Sequence, residues 1–144
     1  MPNIRHVLII DAPPESVYQA ITTEMGIKNW WTTEANAKAE VGYINEHRFG
    51  DKYFNKMKIT KLQSPTHVAW KCVDGDHEWI GTDLSFDIEK GNGNTMLRFS
   101  HLNWKEESEF YGFCNHHWGR YLDSMKSYCE TGKGTPFVPD EQNN

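Results

Sequence analysis

The sequence predicts an α+β fold, a curved antiparallel sheet of about 6–7 strands wrapped around a long C-terminal helix, with two short helices after strand 1. Three observations predict it. Between residues 43 and 101 apolar side chains alternate in short runs separated by turn residues, which is the period of half-buried strands. The turns between those runs are too short for parallel crossovers, so neighbouring strands pair antiparallel. Near the end of the chain, Cys114, Trp118, Tyr121, Leu122, Met125, Tyr128 and Cys129 recur at steps of three and four. That is one face of an α-helix, and a helix following a run of strands buries such a face on the sheet.

The elements follow in order. Residues 3–11 read as a strand with His6, Leu8 and Ile10 on one face and Val7 and Ile9 on the other. Ala12-Pro13-Pro14 ends it. Proline suits the first turn of a helix, where its missing N–H is no loss, and Glu15 there suits the positive end of the helix dipole. Val17, Tyr18 and Ile21 give a helix over Pro14 to Thr22. A second short helix over Thr23 to Lys28 is expected to be interrupted near Gly26. At Trp30-Trp31 one indole is expected to pack inward and the other to cap a rim.

Tyr43 to Phe49 reads as a strand, Gly50-Asp51-Lys52 as a turn, and Tyr53 to Leu62 as a strand whose irregular parity suggests a bulge. His67 to Val73 places Val68, Trp70 and Cys72 on one face. Asp74-Gly75-Asp76 reads as a hairpin turn. Trp79 to Ile88 alternates again, with Ile80, Thr82, Leu84, Phe86 and Ile88 on one face. Thr95 to His101 puts Leu97, Phe99 and His101 together. The long helix spans about Glu107 to Gly132, where glycine suits a left-handed cap. Residues 1–134 read as one domain, and 135–144 as a polar, loosely ordered tail.

Composition narrows the function. Fifteen basic against twenty acidic residues give a net charge of −5, and no Lys/Arg stripe suits nucleic acid. No apolar run is long enough to span a membrane, and no secretory leader opens the chain, so a cytoplasmic protein is expected. Cys72, Cys114 and Cys129 are odd in number and widely spaced, so they read as buried thiols. The aromatic share is 13%, with six tryptophans, which suits a well-filled core or an aromatic-lined pocket.

Four stretches resemble one family. They are Ile10-Asp11-Ala12-Pro13-Pro14-Glu15-Ser16-Val17-Tyr18, the pair Trp30-Trp31, the strand Thr95-Met96-Leu97-Arg98-Phe99-Ser100-His101, and the helix end Lys126-Ser127-Tyr128-Cys129-Glu130-Thr131-Gly132. In order and spacing they resemble the START-like (SRPBCC) superfamily, and within it the AHSA1-like branch related to the activator of Hsp90 ATPase. Two features depart from that pattern: His117-Trp118-Gly119 in the helix, and the aromatic and charged residues of 74–79. The resemblance implies the helix-grip fold and a cavity between the sheet and the long helix. It implies no reaction, because fold does not dictate function.

The expected site is an aromatic wall with a few polar groups, binding a small hydrophobic or aromatic molecule. Its candidates are Trp30 and Trp31 after the short helices, Trp70, Phe86 and Phe99 on strands, and Phe110, Phe113, Cys114, His117, Trp118 and Tyr121 on or near the start of the long helix. His6, His101 and Tyr121 would orient the ligand. No catalytic residue, metal ligand or cofactor is assigned. His116 and His117 are adjacent and diverge on a helix, and no HExxH pair exists. Two alternatives stand beside the binder: a cyclase or hydrolase using His101 or His117, and a regulator of an Hsp90-type chaperone. A homodimer is compatible with each.

Overall fold

A computed structural model describes residues 1–139 of the chain. The elements are β1 (Ile4–Ile10), α1 (Pro14–Thr22), α2 (Glu24–Trp30), β2 (Glu34–Asn36), β3 (Ile44–Phe49), β4 (Tyr53–Gln63), β5 (His67–Gly75), β6 (Asp83–Lys90), β7 (Thr95–Leu102) and α3 (Glu109–Thr131). The seven strands form one sheet in the order β1-β7-β6-β5-β4-β3-β2, antiparallel at every step. This is the expected helix-grip architecture, with two short helices after β1 and the long helix last.

Strand parity sets the core. Val68, Trp70 and Cys72 on β5, Leu84, Phe86 and Ile88 on β6, and Leu97, Phe99 and His101 on β7 are all buried. On β1, Ile4 and Ile10 are buried while Val7 and Ile9 face outward, 62% and 44% exposed. The expected irregularity in β4 is present, as register shifts at Lys56/Met57 and Ile59/Lys61.

The helices begin and end where local chemistry dictates. Pro14 opens α1. The Thr23 side chain accepts the Gly26 N–H at 3.0 Å and so caps α2. Helix α2 runs unbroken through Gly26, contrary to the expected interruption. Glycine is there for space: a Cβ would stand 2.7 Å from the Ala20 Cα and from the carbonyl oxygens of Gln19 and Ala20. Ser108 caps α3 by accepting the Tyr111 N–H at 3.1 Å, and Gly132, at φ 84°, ends it with its N–H on the Tyr128 carbonyl at 2.8 Å.

Three expectations about the connections need correction. The Asp74-Gly75-Asp76 hairpin does not form, because Asp74 and Gly75 remain in β5, opposite Lys56 and Asn55. Reversal falls instead over residues 76–82, and β6 starts at Asp83 rather than Trp79. The Trp79 and Ile80 N–H groups both bond to the Asp76 carbonyl, at 2.8 and 3.1 Å, and the Asp76 carboxylate takes the Glu78 N–H at 2.9 Å. Those local bonds coil residues that alternate like a strand. The sequence does not predict strand β2, since three residues carry too little period to mark a strand.

The segment after α3 does not trail away over residues 135–139. The Phe137 N–H bonds to the Trp31 carbonyl at 2.8 Å, its carbonyl accepts from the Thr33 N–H at 3.1 Å, and its ring lies 5.7 Å from that of Phe49. Residues 140–144 of the expected tail lie outside the described residues. No described helix is long and apolar enough to cross a membrane.

Candidate functional site

Trp30 closes α2 and Trp31 is its C-cap, with φ −106° and ψ −66°. The indoles stack on each other at 5.6 Å and 8°. Both are buried, so neither caps a rim as expected. Trp30 donates its Nε1–H to the Ala20 carbonyl at 2.7 Å, which ties it to α1. Trp31 faces the sheet and α3, with Trp70 at 6.1 Å, Trp118 at 5.2 Å and the His47 ring at 4.4 Å.

Beside this stack is a cavity of about 270 Å³. Helix α3 contributes Phe110, Phe113, Cys114, His117, Trp118 and Tyr121, again at steps of three and four. The β3–β4 hairpin adds Phe49, Tyr53, Phe54 and Asn55. The β5–β6 loop adds Asp76 and Trp79, and Trp31 and Phe137 complete the lining. The volume falls just below the usual range for small-molecule sites, about 300–1,000 Å³, and the wall is overwhelmingly aromatic.

Seven of the thirteen residues expected to line a cavity do so: Trp31, Phe110, Phe113, Cys114, His117, Trp118 and Tyr121. The other six do not. Trp70, Phe86 and Phe99 form a continuous packed file ending on Trp118, at 4.9, 5.2 and 4.5 Å between successive rings. Trp30 lies behind Trp31. His6 sits on the other flank of α3, its Nε2 2.9 Å from Asn115 Oδ1, in a surface groove with His116 and Arg120. His101 lies under Trp118. Inward parity identified the covered face of the sheet correctly. It did not distinguish the part filled by Trp118 from the part left open beside β3 and β4.

The residues that sequence reasoning missed are Phe49, Tyr53, Phe54, Asn55, Asp76, Trp79 and Phe137. A weak signal existed for two of them, since the aromatic and charged content of residues 74–79 stood out. Phe137 sits in a segment without period, so nothing in the pattern marked it.

His101 is fully committed. Thr82 donates its hydroxyl to the Trp79 carbonyl at 2.6 Å, so its oxygen accepts from His101 Nε2–H at 2.8 Å. Trp118 Nε1–H donates to His101 Nδ1 at 3.1 Å. This assigns a neutral imidazole with the proton on Nε2. Burial lowers its pKa to about 3. His47 is also buried, with Nδ1 2.8 Å from Asn55 Oδ1; burial outweighs that bond and lowers its pKa to about 4.

The thiol and the imidazole in the cavity wall are both shifted toward their neutral forms. Burial raises Cys114 to about 12, with Asp76 and Glu78 adding to the rise against a hydrogen bond from Trp79 Nε1 at 3.4 Å. His117 is lowered by burial and then by Arg120 and His116. Burial raises the Tyr121 phenol.

A nucleophile needs a lowered thiol pKa, and Cys114 has the reverse. The three histidines His6, His101 and His117 are not brought to one point. Among the described residues, Asp76, His77 and Glu78 bring potential metal donors within 4.8 Å of one another. They are consecutive loop residues whose carboxylates are in use: Asp76 holds the Glu78 N–H, and Glu78 Oε1 takes the Ser108 hydroxyl at 2.5 Å.

A family model described as activator of Hsp90 ATPase homolog 1-like protein matches residues 11–130. The solution structure of the Aha1 dimer from Colwellia psychrerythraea is 39% identical, with a TM-score of 0.85, covering 93% of this chain and 100% of that one. Protein MLL2253 from Mesorhizobium loti is 15% identical with a TM-score of 0.77, covering 88% of this chain and 95% of that one. CalU16 from Micromonospora echinospora is 16% identical with a TM-score of 0.76, over 92% of this chain and 69% of that one. These last two likenesses concern the fold alone. No curated protein matches the chain at a significant level.

Proposed function

Since the chain belongs to the activator of Hsp90 ATPase homolog 1-like family, we propose that it binds a small hydrophobic or aromatic molecule in the cavity beneath α3. The observation that carries this reading is the aromatic-walled space of about 270 Å³, kept open in a chain whose neighbouring core is closely packed. Tyr53 and Phe113 in its wall are 50% and 52% exposed, so the space opens to solvent and a ligand can enter. The polar groups in the wall are few, which suits orientation of a ligand more than acid–base turnover. His101 has both ring nitrogens committed to Thr82 and Trp118, so it has no free nitrogen for a substrate.

The test is a titration with a neutral apolar fluorophore, N-phenyl-1-naphthylamine. One saturable site is expected, abolished by Cys114→Trp, which fills the space while leaving the far-ultraviolet circular dichroism unchanged. Equal binding by the filled variant would overturn the reading.

The Colwellia relative favours a second reading, a homodimer, since that protein is described as a dimer and covers 93% of this chain. Light scattering should then return twice 16.8 kDa; a monomer mass across the micromolar range would sink this reading. The family's description also supports a regulatory contact with an Hsp90-type chaperone. An unchanged chaperone ATPase rate in the presence of saturating chain would count against that contact.

A further inference from the structure

We propose that the cavity selects its ligand by charge, accepting a neutral or protonated nitrogen-bearing aromatic molecule and rejecting the matching carboxylate. This rests on the reading of the cavity as a ligand site and names the class of molecule it takes. No Lys or Arg contributes to its lining, and its one carboxylate is Asp76. The Asp76 side chain is 31% exposed, and its Oδ1 is fixed by the Glu78 N–H at 2.9 Å. Its neighbour Gly75 pairs with Asn55 across β4 and β5, so Asn55 and Asp76 mark one polar end of an otherwise aromatic wall. Gly75 makes this approach possible. It sits at φ 134°, and a Cβ there would stand 2.7 Å from the Phe54 carbonyl oxygen.

The electrostatic consequence follows from the wall. Aromatic faces carry negative quadrupole density, which attracts a cation and repels an anion. An anion entering the cavity would give up part of its hydration and meet no Lys or Arg in the lining, which disfavours it. Burial, then Arg120 and His116, shift His117 toward its neutral form. The positive end of α3 lies near Phe110 and Phe113, but it is already answered by Glu109 in the first turn and by Glu78 on the Ser108 hydroxyl. Asp76 and Glu78 both act on Cys114, so the negative charge is felt at the Asp76 end of the wall, while Arg120, outside the lining, acts on His117 and Tyr121 at the other end.

The experiment compares three probes of one shape at pH 7: 2-naphthylmethylamine, 2-naphthylmethanol and 2-naphthoate, each titrated by ligand-observed NMR. The amine is expected to bind at least 10-fold tighter than the carboxylate, with the alcohol between them. Asp76→Asn should bring the amine to the level that the alcohol shows in the same variant. A carboxylate that binds as tightly as the amine overturns the proposal, as does a preference unchanged in Asp76→Asn. If the alcohol binds and charge makes no difference, the cavity reading stands and charge selection falls. If none of the three binds, both fall.

Discussion

Acidification from pH 7.5 to pH 5 should cost the protein about 4 kcal/mol of stability, divided between two buried histidines. His47 and His101 are fully buried, and burial lowers their pKa values to about 4 and about 3 from an ordinary 6.5. The unfolded chain therefore takes up protons below pH 6.5 that the folded chain refuses. Stability from each neutral imidazole is fully present above pH 6.5 and is lost as pH falls toward the folded value. At pH 5 the unfolded form of each gains about 2 kcal/mol by protonation, while the folded form gains almost nothing.

The geometry supplies the reason for the refusal at His101. A proton on Nδ1 would face the Trp118 Nε1–H, donor against donor. His117, also lowered by burial, adds a smaller loss of the same sign. Carboxylates do not confuse the window. Glu24 and Glu130 are lowered chiefly by hydrogen bonds from the Ala37 and Asp11 backbone N–H groups, so their stabilisation is lost only as pH falls below the ordinary carboxylate range.

The assay is urea unfolding followed by tryptophan fluorescence at both pH values and constant ionic strength. His101→Gln removes one titrating group, so the loss between the two pH values should drop to about 2 kcal/mol whatever that variant's own stability. Equal free energies of unfolding at pH 7.5 and pH 5, or a higher one at pH 5, would refute the reasoning.

Three further outcomes are expected. Trp118→Ala should destabilise by about 3–5 kcal/mol, because the ring packs on Phe99 and Trp31 and supplies the His101 donor; a loss under about 1 kcal/mol in urea unfolding would contradict that placement. Gly26→Ala would gain about 1 kcal/mol on helix propensity alone, yet its Cβ would meet the Ala20 and Gln19 backbone at 2.7 Å, so the melting temperature should fall; a rise would refute the close approach of α1 and α2. Burial raises Cys72 and Cys129 to about 11 and Cys114 to about 12, so at pH 8 all three thiols should react with an aromatic disulfide reagent at least about 100-fold more slowly in the folded protein than in urea. Rapid labelling of one thiol in the native state would show that its burial is misjudged.

The sequence by itself determined every element but β2, and the faces of the long strands and of α3. Alternation at Val68, Trp70 and Cys72, or at Leu97, Phe99 and His101, is a local consequence of one side of a strand meeting the core, and period survives in the order of residues. The C-cap of α3 was legible for the same reason, since glycine at 132 answers a need of the adjacent turn, whereas its N-cap Ser108 was not singled out. Where local bonds compete with period, the reading failed: Ile80 and Thr82 alternate like a strand, but the Asp76 carbonyl and carboxylate coil the loop that holds Trp79.

The site belonged to tertiary structure. Trp118 and Tyr121 were placed on the right face of α3, and the cavity does lie along that face. Which inward side chains border a space and which fill it depends on where the large rings of distant segments come to rest. Trp118 closes the region over Phe99 and His101, while Phe49 at the end of β3, Trp79 in the β5–β6 loop and Phe137 after α3 wall the remainder. A gap is a property of what several elements leave unfilled between them, and no single stretch of sequence records it.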